Sequence, residues 1–175
     1  MAKDFTAIVQ AATAAFSADP AKASFTFACE SDLVEDTECS NRVRGHVFTI
    51  DKPAELGGSD KGANPVEMVL AALAACRIIT YQFHAGRLGI PLRGVSISFA
   101  GDLDLRGFLA MDESIRPGYA GITGDCTVIS EADEAQLAAL DAAVERHCPV
   151  ADIVAIATAM AVVTRHQRPD SLAAE

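Results

Sequence analysis

One stretch constrains this chain more than any other: Asn64 to Gly89, NPVEMVLAALAACRIITYQFHAGRLG. Asn64 suits the N-cap, Pro65 the first helical position, and Glu67 the N3 position of a capping box. Gly89 suits the left-handed position just past a helix, and Arg87 sits in the last turn, where the helix dipole favours a cation. The stretch therefore predicts a single long helix. From Val66 to Cys76 only Glu67 is polar, so burial is expected on every side of that half. Cys76 falls midway along the helix, as either a small core hydrophobe or a guarded thiol.

Glu67, Arg77, Gln82, His84 and Arg87 interrupt the apolar run, which argues against a membrane span and for the middle of a globular domain. The chain has 175 residues, half of them hydrophobic and 22% charged, enough for one domain with a real core. A formal net charge of −10 without a Lys/Arg cluster argues against nucleic-acid or anionic-membrane partners. The start, MAKDFTAIVQAATAAF, carries Asp4 and a broken apolar run, a poor signal peptide. Five cysteines, at positions 29, 39, 76, 126 and 148, form neither a Cys-x-x-Cys nor a zinc-spaced cluster, so no metal or cofactor is expected. Their odd number fits a reducing cytoplasm.

The remaining elements follow from periodicity. Residues 2–17 predict a helix with Phe5, Ile8, Val9, Ala12 and Phe16 on one stripe, stopped by Asp19-Pro20. Ala23–Glu30 alternates as a strand with Phe25, Phe27 and Cys29 on one face, Ser31–Thr37 reads as an acidic turn, and Cys39–Ile50 reads as a second strand. The connection Asp51–Ala63 is Gly-rich but lacks the Walker and dinucleotide spacings, so it predicts a flexible or close-packed loop rather than a phosphate cradle. Beyond the central helix, strands are expected at about 92–104 and 119–130, with one helical turn near Leu105–Met111 between them. Helices are expected at 132–147 and 150–155, and a final strand at 157–165. The fold class is α+β: a helical extension over 1–22, one domain over 23–167, and a flexible tail over 168–175.

The cysteines are not equivalent. Cys29 and Cys126 occupy strand positions expected to face inward, as structural thiols. Cys39 lies beside acidic residues that disfavour a thiolate. Cys148 follows His147 and precedes Pro149, which suits the first turn of a helix, so a helix dipole and an imidazolium both favour its thiolate; a simple packed cap is the alternative. Cys76, mid-helix, gains little from a dipole, and Arg77 lies about 100° around the axis from it.

Three features together resemble the OsmC/Ohr family (osmotically inducible protein C and organic hydroperoxide resistance): GG-x-x-x-G-x-NP at Gly57–Pro65, the helix NPVEMVLAALAAC ending at Cys76, and HCPV at His147–Val150. The likeness spans about residues 24–166. It implies antiparallel sheets around two long central helices in an intertwined homodimer, with active sites at the subunit interface. It also implies that Cys76 attacks an organic hydroperoxide and becomes a sulfenic acid, that Cys148 closes a disulfide with it, and that a dithiol such as dihydrolipoamide reduces the product.

The chain departs from that pattern at two points. The family's glutamate after Asn-Pro is Val66 here, and Glu67 lies about 13.5 Å along the axis from Cys76 and about 180° around it. Only a partner subunit brings Glu67 to Cys76, and its own chain uses it for capping. The family's activating arginine belongs to the turn here formed by Ser31–Thr37, which has none, leaving Arg42 and Arg44 as substitutes. A thiol-dependent peroxidase acting in an oxidative stress response is the leading expectation. Alternatives are a family member without peroxidase activity that binds a small apolar or thiol ligand at the dimer interface, and a dithiol redox sensor.

Overall fold

A computed structural model describes residues 3–167; the expected tail over 168–175 lies outside them. Helix α1 (Phe5–Ala18) opens the chain, capped by Asp4, whose carboxylate accepts from the Ala7 N–H at 3.1 Å. Three strands, β1 (Glu30–Glu35), β2 (Glu38–Val43) and β3 (His46–Ile50), form an antiparallel meander. After the Gly-rich loop comes α2 (Pro65–Leu88), then the antiparallel pair β4 (Gly94–Asp102) and β5 (Gly121–Ile129), with the single-turn α3 (Leu105–Phe108) between them. Helix α4 (Glu134–His147) runs almost directly into α5 (Pro149–Ala155).

The sequence places α2 to the residue. Asn64 and Glu67 form the reciprocal capping box, with the Glu67 carboxylate accepting from the Asn64 N–H at 2.8 Å. Gly89 adopts φ 67° and closes the far end. The expectation of burial all round is corrected. Leu73, Thr80, Tyr81 and Ala85 are buried, but Val69, Ile79 and Phe83 are exposed. Within one chain α1, α4, β4 and α5 pack against the helix without fully covering these three residues. Among the described residues α2 is the one helix long and apolar enough to cross a bilayer.

Two strand readings are also corrected. Ser31–Thr37 is not a turn: Glu30–Glu35 is a fully exposed strand, and the chain reverses at Asp36, which adopts φ 47°. Its acidic residues are tolerated because they face solvent, and Glu30 pairs with Arg42 across the ladder at 3.0 Å. Cys39–Ile50 is not one strand but a hairpin turning at Arg44-Gly45, with Arg44 at φ 55°. The segments expected as strands at 23–30 and 157–165 have no strand partner among the described residues up to Cys29 and beyond Ala155, and their side chains stand exposed: Phe27 is 88% exposed and Met160 89%. A strand requires a neighbour to satisfy its N–H and C=O groups, and the described residues offer none there. Cys29 and Cys126, expected as buried structural thiols, are exposed, although Cys126 does lie opposite Ile97 on the core-facing side of the β4–β5 pair.

The Gly-rich loop is close-packed. Asp51, 1% exposed, gathers it by accepting from the Thr37 hydroxyl at 2.6 Å and from the N–H groups of Lys52, Ser59 and Lys61 at 2.7, 2.9 and 3.2 Å. These bonds, Thr37 first, hold the carboxyl at about 2. A Cβ on Gly58 would stand 1.8 Å from the Lys52 carbonyl oxygen, so only glycine fits. The core gathers Tyr81 and Ala85 of α2, Ile90, and Leu140 and Val144 of α4, with Val95, Ile97 and Val128 of the β4–β5 pair packed against it.

Candidate active site

The stripe of α4 that carries Leu140 and Val144 continues to Cys148, 2% exposed. Cys148 is the hinge between two helices: its N–H donates to the Val144 carbonyl and its own carbonyl accepts from the Asp152 N–H, both at 3.1 Å. This turn brings the start of α5 against the middle of α2. The Cys148 thiol there neighbours the Cys76 thiol closely enough to disfavour its ionisation.

The expected dipole effect acts on the other cysteine. Cys148 is the N-cap of α5 but makes no side-chain capping bond, and Pro149 has no N–H to give. The first free donor of α5, the Val150 N–H, is directed at the Cys76 thiol. Thr80, one turn on, donates its hydroxyl to the Cys76 carbonyl at 2.7 Å and also favours the Cys76 thiolate. Burial outweighs both and pushes the Cys76 thiol above its ordinary value, and neighbouring Cys148 adds to the rise.

Access separates the two sulfurs. Cys76 is half-buried and opens onto a cleft of about 260 Å³ whose walls include Ile79, Phe83, His84 and His147. Cys148 is sealed behind it. The His84 and His147 rings stack with centroids 5.3 Å apart and planes 16° from parallel. Phe83 is held edge-on by Phe5 of α1 at 5.3 Å, so the N-terminal helix supports one wall of the cleft.

Of the other residues considered from the sequence, none joins the two cysteines within one chain. Glu67 is engaged in the cap of α2. Arg42 bonds Glu30, and Arg44 occupies the β2–β3 turn beside it. A cation beside the pair is Arg77, which follows Cys76 in sequence but lies about 100° around the helix axis from it. It points toward α4, donates to Glu145 at 2.9 Å, and stands within electrostatic reach of Cys148. A second cross-helix bond, from the Tyr81 hydroxyl to Asp141 at 2.9 Å, runs parallel to it. The spacing signalled both: Arg77 and Tyr81 are four apart on α2, as are Asp141 and Glu145 on α4. Among the described residues no group of three or more His, Cys, Asp or Glu is placed to hold a metal.

A long cysteine-bearing helix beside antiparallel sheets, with a second cysteine at a helical joint against it, defines an α+β thiol protein of the OsmC-like fold. Solved structures agree. The chain is similar to an OsmC-like protein from Mycoplasma pneumoniae (TM-score 0.64, 19% identity, covering 75% of this chain and 88% of that one). It is also similar to an OsmC-like protein of unknown function from Vibrio cholerae (TM-score 0.62, 10% identity, 77% and 96% covered). A third likeness is to an organic hydroperoxide resistance protein OsmC from Legionella pneumophila (TM-score 0.56, 19% identity, 74% and 89% covered). The profile of the family described as OsmC-like protein matches residues 58–162, and the chain belongs to that family. Comparison with curated proteins gave no match.

Proposed function

We propose that the protein is a homodimeric, thiol-dependent peroxidase that reduces organic hydroperoxides in the cytoplasm, with Cys76 as the attacking thiol and Cys148 as the resolving one. The observation that carries this reading is an accessible Cys76 with a sealed Cys148 as its electrostatic neighbour. A peroxide entering the cleft meets Cys76 first. Attack on the terminal oxygen gives a Cys76 sulfenic acid and an alcohol. Cys148 then forms the Cys76–Cys148 bond with loss of water, before further oxidation of the sulfenic acid. A dithiol of the dihydrolipoamide type returns both thiols by exchange. The apolar walls from Ile79 and Phe83 favour an organic peroxide over hydrogen peroxide.

The dimer is supported by surface area. The chain exposes 13201 Å², whereas a compact monomer of 18.3 kDa exposes about 8,100 Å². The excess includes exposed Val69 and Ile79 of α2 and the exposed segments around Phe27 and Val162, which a second copy of the chain would cover. A second reading, a ligand-binding family member without peroxidase activity, is favoured by one observation: the Cys76 thiol is pushed up by burial, and no cation lines its cleft. Consumption of an alkyl hydroperoxide with dihydrolipoamide as reductant separates the two. The peroxidase reading expects turnover that Cys76→Ser abolishes; turnover no faster than in buffer supports the ligand binder.

A further inference from the structure

The peroxidase reading leaves a proton unaccounted for. Cys76 must lose one to attack, and the alkoxide leaving from an alkyl hydroperoxide must gain one, being a poor leaving group without it. The usual cationic activators do not line this cleft. Its walls carry two titratable groups besides Cys76 itself, His84 and His147. His84 is committed: the Arg87 Nε–H donates to its Nδ1 at 3.1 Å, which fixes the neutral ring with its proton on Nε2. Burial first, then Arg87 and His147, push that imidazole below its ordinary value, so it resists taking a second proton. His147 has no such partner among the described residues. It lies flat against His84 and directly precedes Cys148, so both the stack and the helical joint hold its ring at the cleft wall.

We infer that His147 is the proton carrier of the peroxide step, taking the proton from Cys76 and returning it to the leaving oxygen. The inference rests on the peroxidase reading and gives a role to a residue that the cysteine pair alone leaves without one. The exchange balances. The Cys76 S–H proton passes to the His147 imidazole, and the thiolate attacks the terminal oxygen of RO–OH. A sulfur–oxygen bond forms while the O–O bond breaks, and RO⁻ leaves with the electron pair and takes the imidazolium proton as ROH. Sulfur is oxidised by two electrons, the peroxide is reduced by two, and His147 is neutral again.

Leaving-group chemistry supplies the test. A peroxycarboxylic acid releases a carboxylate, which needs no proton, whereas cumene hydroperoxide releases an alkoxide, which does. Single-turnover rates of Cys76 oxidation are compared for both oxidants in the wild type and in His147→Phe, which keeps a ring to stack on His84. Both oxidants need the Cys76 thiolate but only the alkoxide needs a proton, so the expected result is a loss of about a hundredfold or more with cumene hydroperoxide, beside a loss at least about tenfold smaller with peracetic acid. Equal slowing with both oxidants, or with neither, overturns the inference while leaving the peroxidase reading intact. Wild-type protein inert to both overturns the peroxidase reading and the inference with it. Should His147→Phe fail to fold, His147→Gln carries the same comparison with the same outcomes.

Discussion

The Val150 N–H is directed at the thiol of Cys76, so the first turn of α5 serves a cysteine on another helix. Because Cys148 both raises the Cys76 thiol and stands ready to trap it, the two effects separate on replacement. In Cys148→Ser the midpoint of Cys76 alkylation by iodoacetamide should fall below that of the wild type, since a raising neighbour is gone. An unchanged or higher midpoint would contradict the contact between the sulfurs. The same variant should accumulate a dimedone-reactive sulfenic acid after peroxide treatment, because no second thiol closes the disulfide.

Asp51 anchors the loop that delivers the chain to α2. Its carboxyl is depressed to about 2 in the folded protein. Its contribution to stability is therefore complete above the unfolded carboxylate range near pH 4 and is lost as pH falls toward the folded value. Asp51→Asn should lower the melting temperature by roughly 5 °C or more near pH 6, and the gap to the wild type should narrow as the pH drops below about 4. Gly58→Ala should be at least as damaging, because its methyl would meet the Lys52 carbonyl oxygen at 1.8 Å. Thermal unfolding followed by circular dichroism checks both.

The two cross-helix bonds differ in setting, and their contributions should differ accordingly. Glu145 is 73% exposed in its pair with Arg77, so Glu145→Gln should cost less than about 1 kcal/mol. The Tyr81 hydroxyl is held by Asp141 in a residue only 3% exposed. Tyr81→Phe should therefore cost about 1–2 kcal/mol, or roughly 2–6 °C in melting temperature. Urea unfolding of the two variants measures the difference directly.

How much of this was legible in the sequence differs by element. Helix α2 was, down to the cap at Asn64 and the stop at Gly89, because caps, a helical proline and a left-handed glycine are local chemistry. That Cys76 and Cys148 belong together came from the family resemblance, not from any local pattern of the chain. The Arg44-Gly45 reversal was hidden inside an alternating run that reads equally well as one long strand. Phe25 and Val162 alternate as strand residues do, but alternation says nothing about where the neighbouring strand comes from, and the described residues do not supply one. Thr80 and His84 lie one and two turns beyond Cys76 on α2 itself, but Val150 and His147 reach it only through the docking of the α4–α5 joint on α2, a non-local event that no spacing in the sequence encodes.

If a second copy covers those bare segments, sedimentation velocity should give twice the 18.3 kDa chain mass at micromolar concentration. Phe27 and Val162 are 88% and 84% exposed in the single chain, so lysine at both sites should leave an isolated chain no less stable while splitting the dimer. A wild-type species at the single-chain mass would contradict the homodimer.

The central claim is that Cys76 and Cys148 are a peroxidatic and resolving pair, and counting thiols tests it most directly. Fully reduced protein, with its five free cysteines, is mixed with a stoichiometric organic hydroperoxide, and free thiols are titrated with time. The account predicts rapid loss of two thiols in the wild type, restored by dihydrolipoamide, and no rapid loss in Cys76→Ser. Retention of all five thiols in the wild type, or equal loss in Cys76→Ser, would contradict it.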